Sequence, residues 1–218
     1  MDTIFLKNYD SLFFDCDGVI LNSNQVKTAA FYKAALPYGK DLAQQLADYH
    51  VENGGVSRYL KFNTFLTDIV PTGTVGPSLE ELLTVYATEV RQGLLDCEIA
   101  PGLIELRKQT RSAVWFVVSG GDQTELRDIF EARGLLHLFN GGIYGSPATK
   151  DEILKKLLRQ SDTDFSGVFL GDSRYDFVAA NKANLDFVFV SSWSEFANWE
   201  NYFESKDIVA INRLAELV

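Results

Sequence analysis

A chain of 218 residues that is 46% hydrophobic suits one good-sized domain, or one domain carrying an insertion. A formal net charge of -10 excludes the basic footprint that nucleic acid requires, and with it simple electrostatic attachment to anionic lipid. Two cysteines do not make a disulfide framework, and no run is apolar and long enough to span a membrane.

No basic start followed by an apolar run marks a signal peptide, so the expected location is cytoplasmic. The two histidines, His50 and His137, lie near no recognisable nucleophile motif. Cys-His or Ser-His catalysis and a histidine zinc site are therefore not expected.

The first strand reads as Leu12 to Cys16, and it leads into Asp15-Cys16-Asp17-Gly18. Acids two positions apart on an extended segment point to one face. Crowding them where a buried strand ends is costly unless a cation neutralises them, and Mg2+ is the natural partner of oxygen ligands. The plainer alternative is a pair of turn and cap residues. Cys16 should face the other way, into the core.

From about Asn22 to Asp96 no strand is expected. Four amphipathic helical stretches fill the interval: Gln25 to Leu36, Lys40 to Glu52, Ser57 to Leu66 and Leu79 to Leu95. Pro101-Gly102 marks the return to alternating strands and helices, so the interval reads as an all-helical insertion. Within it Ser57 reads as a helix cap. Tyr32, Tyr38, Tyr59 and Phe62 could line a pocket, but their helical spacing favours core packing.

Further strands read as Ala113 to Ser119, Gly142 to Gly145, Gly167 to Gly171 and Phe187 to Ser191, with Ile208 to Ile211 as another candidate. Helical patterns at Thr124 to Arg133, Glu152 to Gln160 and Tyr175 to Lys182 lie between them. Near-continuous apolar strands alternating with helices indicate α/β architecture with a parallel sheet covered on both faces. Such a sheet binds ligands at the carboxyl ends of its strands.

Three of those ends carry chemistry. Ser119-Gly120-Gly121-Asp122 offers a hydroxyl and amides before a helix capped by Asp122 and Glu125, suited to a phosphate or simply a capped turn. Thr149 and Glu152 fit another capping box, which puts Lys150 in a helix's first turn, where cations are disfavoured and an anion-holding task would explain it. Gly171-Asp172-Ser173-Arg174-Tyr175-Asp176 places two more acids at a strand end. Asp176 could complete a cap with Ser173, whereas Asp172 is harder to explain structurally.

Together these residues, in this order from Asp15 to Asp176, resemble the haloacid dehalogenase superfamily of phosphatases and related phosphoryl-transfer enzymes. The insertion is similar to that family's type C1 cap, as in phosphoglycolate phosphatase-like and β-phosphoglucomutase-like members. The resemblance implies a Rossmann-like three-layer parallel-sheet core, residues 1–20 and 99–218, with an inserted all-α cap domain, residues 21–98. It makes Asp15 the nucleophile that forms an aspartyl phosphate, and Asp17 the acid and then the base, a role needing a raised pKa. Mg2+ would be held by Asp15, the Asp17 backbone carbonyl, Asp172 and Asp176, while Ser119, the Gly120 amide and Lys150 hold phosphoryl oxygens.

Dehalogenases and phosphonate hydrolases lack an aspartate at the Asp17 position, so the resemblance implies a Mg2+-dependent phosphatase of a small phosphorylated metabolite. Gly54-Gly55-Val56-Ser57-Arg58 resembles a cap turn of β-phosphoglucomutase-like enzymes in which the arginine reaches substrate. A sugar phosphomutase is therefore the alternative, and a catalytically silent phosphate-ligand binding protein a lesser one; Arg58 on the helix surface is the plain reading. Leu21-Asn22-Ser23-Asn24 departs from the Asp-Ser pair of many relatives, with Asn22 the expected cap of the first inserted helix. Neither nucleic acid nor a membrane is expected as a partner, and the acidic balance carries no signal for oligomeric state.

Overall fold

The apolar runs read from the sequence all become strands in the computed structural model, which describes residues 6–159 and 166–218. Strand β1 (Ser11–Phe14) is followed by four inserted helices: α1 (Asn24–Ala35), α2 (Lys40–Glu52), α3 (Arg58–Thr64) and α4 (Leu79–Asp96). Then come α5 (Leu103–Gln109), β2 (Val114–Asp122), α6 (Gln123–Ala132), β3 (Gly142–Ser146), α7 (Lys150–Leu158), β4 (Gly167–Gly171), α8 (Arg174–Lys182), β5 (Asp186–Val190), α9 (Trp199–Phe203) and β6 (Val209–Ile211). The short helices α5 and α9 were not expected. The expected end of the third core helix, Gln160, lies outside the described residues, as do residues 1–5 of the expected core.

All six strands are parallel, in the order β3-β2-β1-β4-β5-β6. Successive side chains alternate between two layers. Leu12, Phe14, Trp115, Val117, Val168 and Leu170 join one hydrophobic cluster, under α5 and α6. Phe13, Val118, Phe169 and Phe189 join another, under α7, α8 and α9. Burial on both faces explains why these strands lack polar alternation. The core is a Rossmann-like three-layer sandwich.

Strand order reverses at β1, whose neighbours are β2 and β4, and such a switch point opens a crevice beyond the strands' carboxyl ends. Phe14 is in register with Leu170, so the chain emerges from β1 and β4 with Asp15 level with Gly171 and Asp172 one residue further on.

The inserted helices form an all-α cap whose aromatic centre is continuous with the core cluster under α5 and α6. Phe31 packs on Tyr86 and Phe62 at ring-centroid distances of 4.4 and 5.0 Å. The chain enters and leaves this layer at one place. Asn22 N–H donates to Glu98 O at 2.9 Å, Ala100 N–H donates to Ile20 O at 2.8 Å, and Leu21 and Ile99 form an antiparallel bridge.

Two local departures matter at the site. Strand β2 continues through Ser119, Gly120 and Gly121, because Asp122 pairs with Ser146 of β3 after an irregularity in register. At the start of α1 the cap position is Ser23 rather than Asn22, and the Ser23 side chain makes no capping bond.

Candidate active site

Asp15 follows β1 directly and is buried. Its Oδ1 accepts hydrogen bonds from the Cys16 N–H at 2.7 Å and from Lys150 Nζ at 2.9 Å, which leaves its other oxygen uncommitted among the described residues. Lys150 is the first residue of α7, and the complete Thr149–Glu152 capping box fixes where that helix begins. Its buried ammonium bridges Asp15 and Asp176. Asp176 also caps α8, accepting from the Ser173 N–H at 3.1 Å and hydroxyl at 2.6 Å. Asp172 accepts from Asn24 Nδ2 at 2.7 Å.

Asp15, Asp172 and Asp176 each present a carboxylate oxygen within 4.8 Å of the others. Three buried acids share the one Lys150 ammonium, and the proton affinities of Asp15 and Asp172 show the imbalance. Burial, then repulsion from Asp176, pushes the Asp15 carboxyl up to about 7 against the pull of Lys150. Burial and the charges of Asp15 and Asp176 lift Asp172 well above the usual carboxylate range. Oxygen-only donors, buried and short of positive charge, fit a hard divalent cation. Gly18 keeps this corner open: its φ is +75°, and a Cβ there would run into the Asp172 carboxylate.

Asp17 differs from the expectation. Burial pushes its carboxyl up, but the Lys27 ammonium at 2.5 Å and the Ser23 hydroxyl at 2.6 Å outweigh that and hold it below its ordinary value. Its carboxylate thus faces the first turn of α1 and stands outside the three-acid group. Asn24, Lys27 and Thr28 tie that turn to Asp172, to Asp17 and to Glu195 in the loop after β5, the last at 3.0 and 3.2 Å. Sequence reading missed all three; the signal was a polar stripe at i, i+3 and i+4 directly after the first signature.

Ser119 is buried, and its hydroxyl accepts the Gly121 N–H at 3.0 Å. Gly120 faces the cavity, pressed against the Gly55 carbonyl of the turn before α3. Arg58 is buried, not on the surface: its guanidinium pairs with Glu125, with one contact at 3.1 Å, and lies 4.7 Å from the Tyr86 ring centroid. Glu125 therefore serves Arg58 instead of closing a capping box with Asp122, whose carboxylate accepts only the Glu125 N–H as the helix cap. Tyr59 adds a hydrogen bond to Asp122 at 2.8 Å.

Gly120→Ala is expected to prop the helical layer off the strand ends, because a methyl group has no room beside the Gly55 backbone. Amide hydrogen exchange across residues 53–58 should accelerate by roughly tenfold or more in that variant. Unchanged exchange would mean that the close approach is not needed for closure.

Between the two layers lies a cavity of about 290 Å³, whose wall includes Asp15, Asp17 and Asp172 below and Lys27, Arg58 and Lys61 above. Of the aromatics considered in the sequence, Tyr32, Tyr38, Tyr59 and Phe62 are absent from the wall, and Phe31 and Tyr86 stand there instead.

The family model for haloacid dehalogenase-like hydrolases matches residues 12–190. No curated protein sequence matches the chain. The fold is similar to that of CbbY from Rhodobacter sphaeroides, solved in complex with phosphate, at 16% identity and a TM-score of 0.72, over 96% of each chain. It is also similar to β-phosphoglucomutase from Clostridium difficile, at 18% identity and a TM-score of 0.71, over 96% of this chain and 93% of that one. A predicted phosphoglycolate phosphatase from Haemophilus somnus gives 16% identity and a TM-score of 0.70, over 96% of each chain.

Proposed function

The chain belongs to the haloacid dehalogenase-like hydrolases, and from that premise we propose that it is a Mg2+-dependent phosphatase acting on a small phosphorylated metabolite. Residues 21–98 serve as the cap and residues 1–20 and 99–218 as the core that does the chemistry. The observation that carries the reading is Asp15: one oxygen pinned by an amide and an ammonium, the other uncommitted, in a cavity wall beside two further acids.

In this reading the uncommitted oxygen of Asp15 attacks phosphorus in line, a bond forms to phosphorus, and the ester P–O bond breaks. Lys150 and the Gly120 backbone amide hold phosphoryl oxygens, and Ser119 supports that strand end through its bond to the Gly121 amide. The leaving oxygen needs a proton, which Asp17 delivers after drawing it from the Lys27 ammonium that donates to it at 2.5 Å. Ionised Asp17 is then placed to take a proton from the water that hydrolyses the aspartyl phosphate. Mg2+ held by Asp15, Asp172 and Asp176, with the Asp17 carbonyl, would supply the positive charge that lets a carboxylate approach an anionic phosphoryl group.

The mutase alternative leans on an arginine that reaches the far end of the substrate. Here Glu125 already neutralises Arg58, which supports hydrolysis as the better reading and makes Arg58 a positioning residue of the closed arrangement. Among the described residues no helix is long and apolar enough to cross a membrane, and a cytoplasmic setting belongs to the proposal.

A panel of phosphomonoesters offered with Mg2+ should yield free phosphate. Chelation should slow release by roughly a hundredfold or more, and added Mg2+ should restore it. Turnover indifferent to chelator would overturn the metal assignment, and isomerised sugar phosphate without free phosphate would favour the mutase.

A further inference from the structure

The buried cations in the cavity wall and directly beneath it are of two kinds. Lys27 meets Asp17, Lys150 meets Asp15 and Asp176, and Arg58 meets Glu125. Lys61 is the exception among the described residues. It is 1% exposed and forms no ion pair; its Nζ shares a hydrogen bond with His50 Nδ1 at 2.6 Å and reaches the His50 carbonyl at 3.3 Å.

The charges around Lys61 come from every side. Lys27 on α1 and Lys150 below repel it, while Asp17 and Glu195 attract it. Both acids are already occupied, Asp17 by Lys27 and Ser23 and Glu195 by Thr28. Burial, then Lys27, pulls the Lys61 amine down to about 7. His50 is depressed by burial and then by the charges of Lys61 and Lys27. This corner of the cavity holds two basic groups, Lys61 and His50, and has no anion to spare for them.

A buried amine without a counter-charge is costly when protonated, and a group in a cavity wall can receive that counter-charge from a ligand. We propose that Lys61, supported by His50, forms a subsite for a second anionic group, a carboxylate or a phosphoryl, at the end of the substrate remote from the bond that is cleaved. The inference rests on the phosphatase reading of Asp15 and narrows it. With a cavity of about 290 Å³, at the small end for ligand sites, the substrate class is a short phosphomonoester with an anionic tail.

Three esters of matched length separate the possibilities in the Mg2+-loaded enzyme: phosphoglycolate with its carboxylate, ethylene glycol bisphosphate with its second phosphoryl, and neutral 2-hydroxyethyl phosphate. At least one anionic-tailed ester should exceed the neutral one in kcat/KM by roughly tenfold to a hundredfold, the scale of a charge-assisted hydrogen bond. In Lys61→Met that ratio should collapse towards one, with Lys61→Gln as the second variant should methionine fail to fold. The carboxylate and bisphosphate arms say which anion is preferred.

No preference in the wild-type protein, or a variant that slows all three esters by the same factor, overturns the subsite and leaves the phosphatase reading standing. Failure to hydrolyse any ester instead removes the phosphatase reading. Calorimetric titration of phosphoglycolate and 2-hydroxyethyl phosphate into Asp15→Asn protein then decides the subsite without turnover. Tighter binding of the anionic ester that disappears in the double variant with Lys61→Met supports it, and equal binding of the two esters overturns it.

Discussion

Asp15→Asn is expected to reduce phosphate release by about four orders of magnitude or more, the scale on which loss of a nucleophile is felt, and at the same time to make the metal-free protein more stable. The two effects have one origin. Asp15 is one of three buried carboxylates facing a single ammonium, and its carboxyl is raised to about 7 from an ordinary value of 3.8. An acid whose folded pKa lies above its unfolded one takes stability away as pH climbs between those two values. Asparagine keeps the shape and gives up the charge.

The gain in thermal midpoint should therefore be a few degrees at pH 8 and should vanish at about pH 4 or below. Phosphate release and a melting series across pH measure both. Substantial turnover by well-folded Asp15→Asn protein would end the assignment of the nucleophile, and an unaltered melting series would show that the cluster is not short of cation.

Lys150→Met should do the reverse to the fold. Among the described residues its ammonium is the only cation between Asp15 and Asp176, and both sides of the pair are buried. Removing one member of a buried charge pair typically costs about 3–5 kcal/mol, because the partner is left uncompensated. That loss should be greatest at pH 8, above the raised pKa of Asp15. It should shrink towards pH 5, where a protonated Asp15 needs no partner, and part of it should return when Mg2+ is added. Turnover should fall by roughly a hundred- to a thousandfold with the phosphoryl-holding charge gone. Urea unfolding at both pH values checks the claim, and a small loss independent of pH would show that Lys150 does not neutralise the cluster.

Lys150 was legible in the sequence because a lysine in the first turn of a helix runs against the helix dipole, and the structure supplies the reason for its place. Asp15 and Asp172 were legible because acids directly after apolar strands have few structural excuses. Lys27 and Lys61 were not. A lysine on an amphipathic helix reads as a solvated one, and only the docking of α1 and α3 over the strand ends turns these two inward. Glu125 was misread as a capping partner because its partner Arg58 lies 67 residues away. The lengthening of β2 through two glycines likewise depends on a long-range pairing, Asp122 with Ser146. The expectation that Asp17 has a raised pKa failed for the same reason, since it took no account of Lys27.

The side-by-side crossing of the two linkers bears on how the molecule assembles. β1 and β2 are hydrogen-bonded neighbours separated by roughly a hundred residues of chain, a pairing whose closure is slow when the intervening segment is loose. The helices between them make aromatic contacts with one another, and the bridge at Leu21 and Ile99 returns the chain to where it departed. Once that helical unit has formed, the loop left to close shrinks from roughly a hundred residues to about twenty, the segments 15–20 and 100–113. The expected order of events is helices first, with the central strands pairing afterwards, and pulsed hydrogen exchange during refolding would check it by protecting α1 and α4 before β1 and β2.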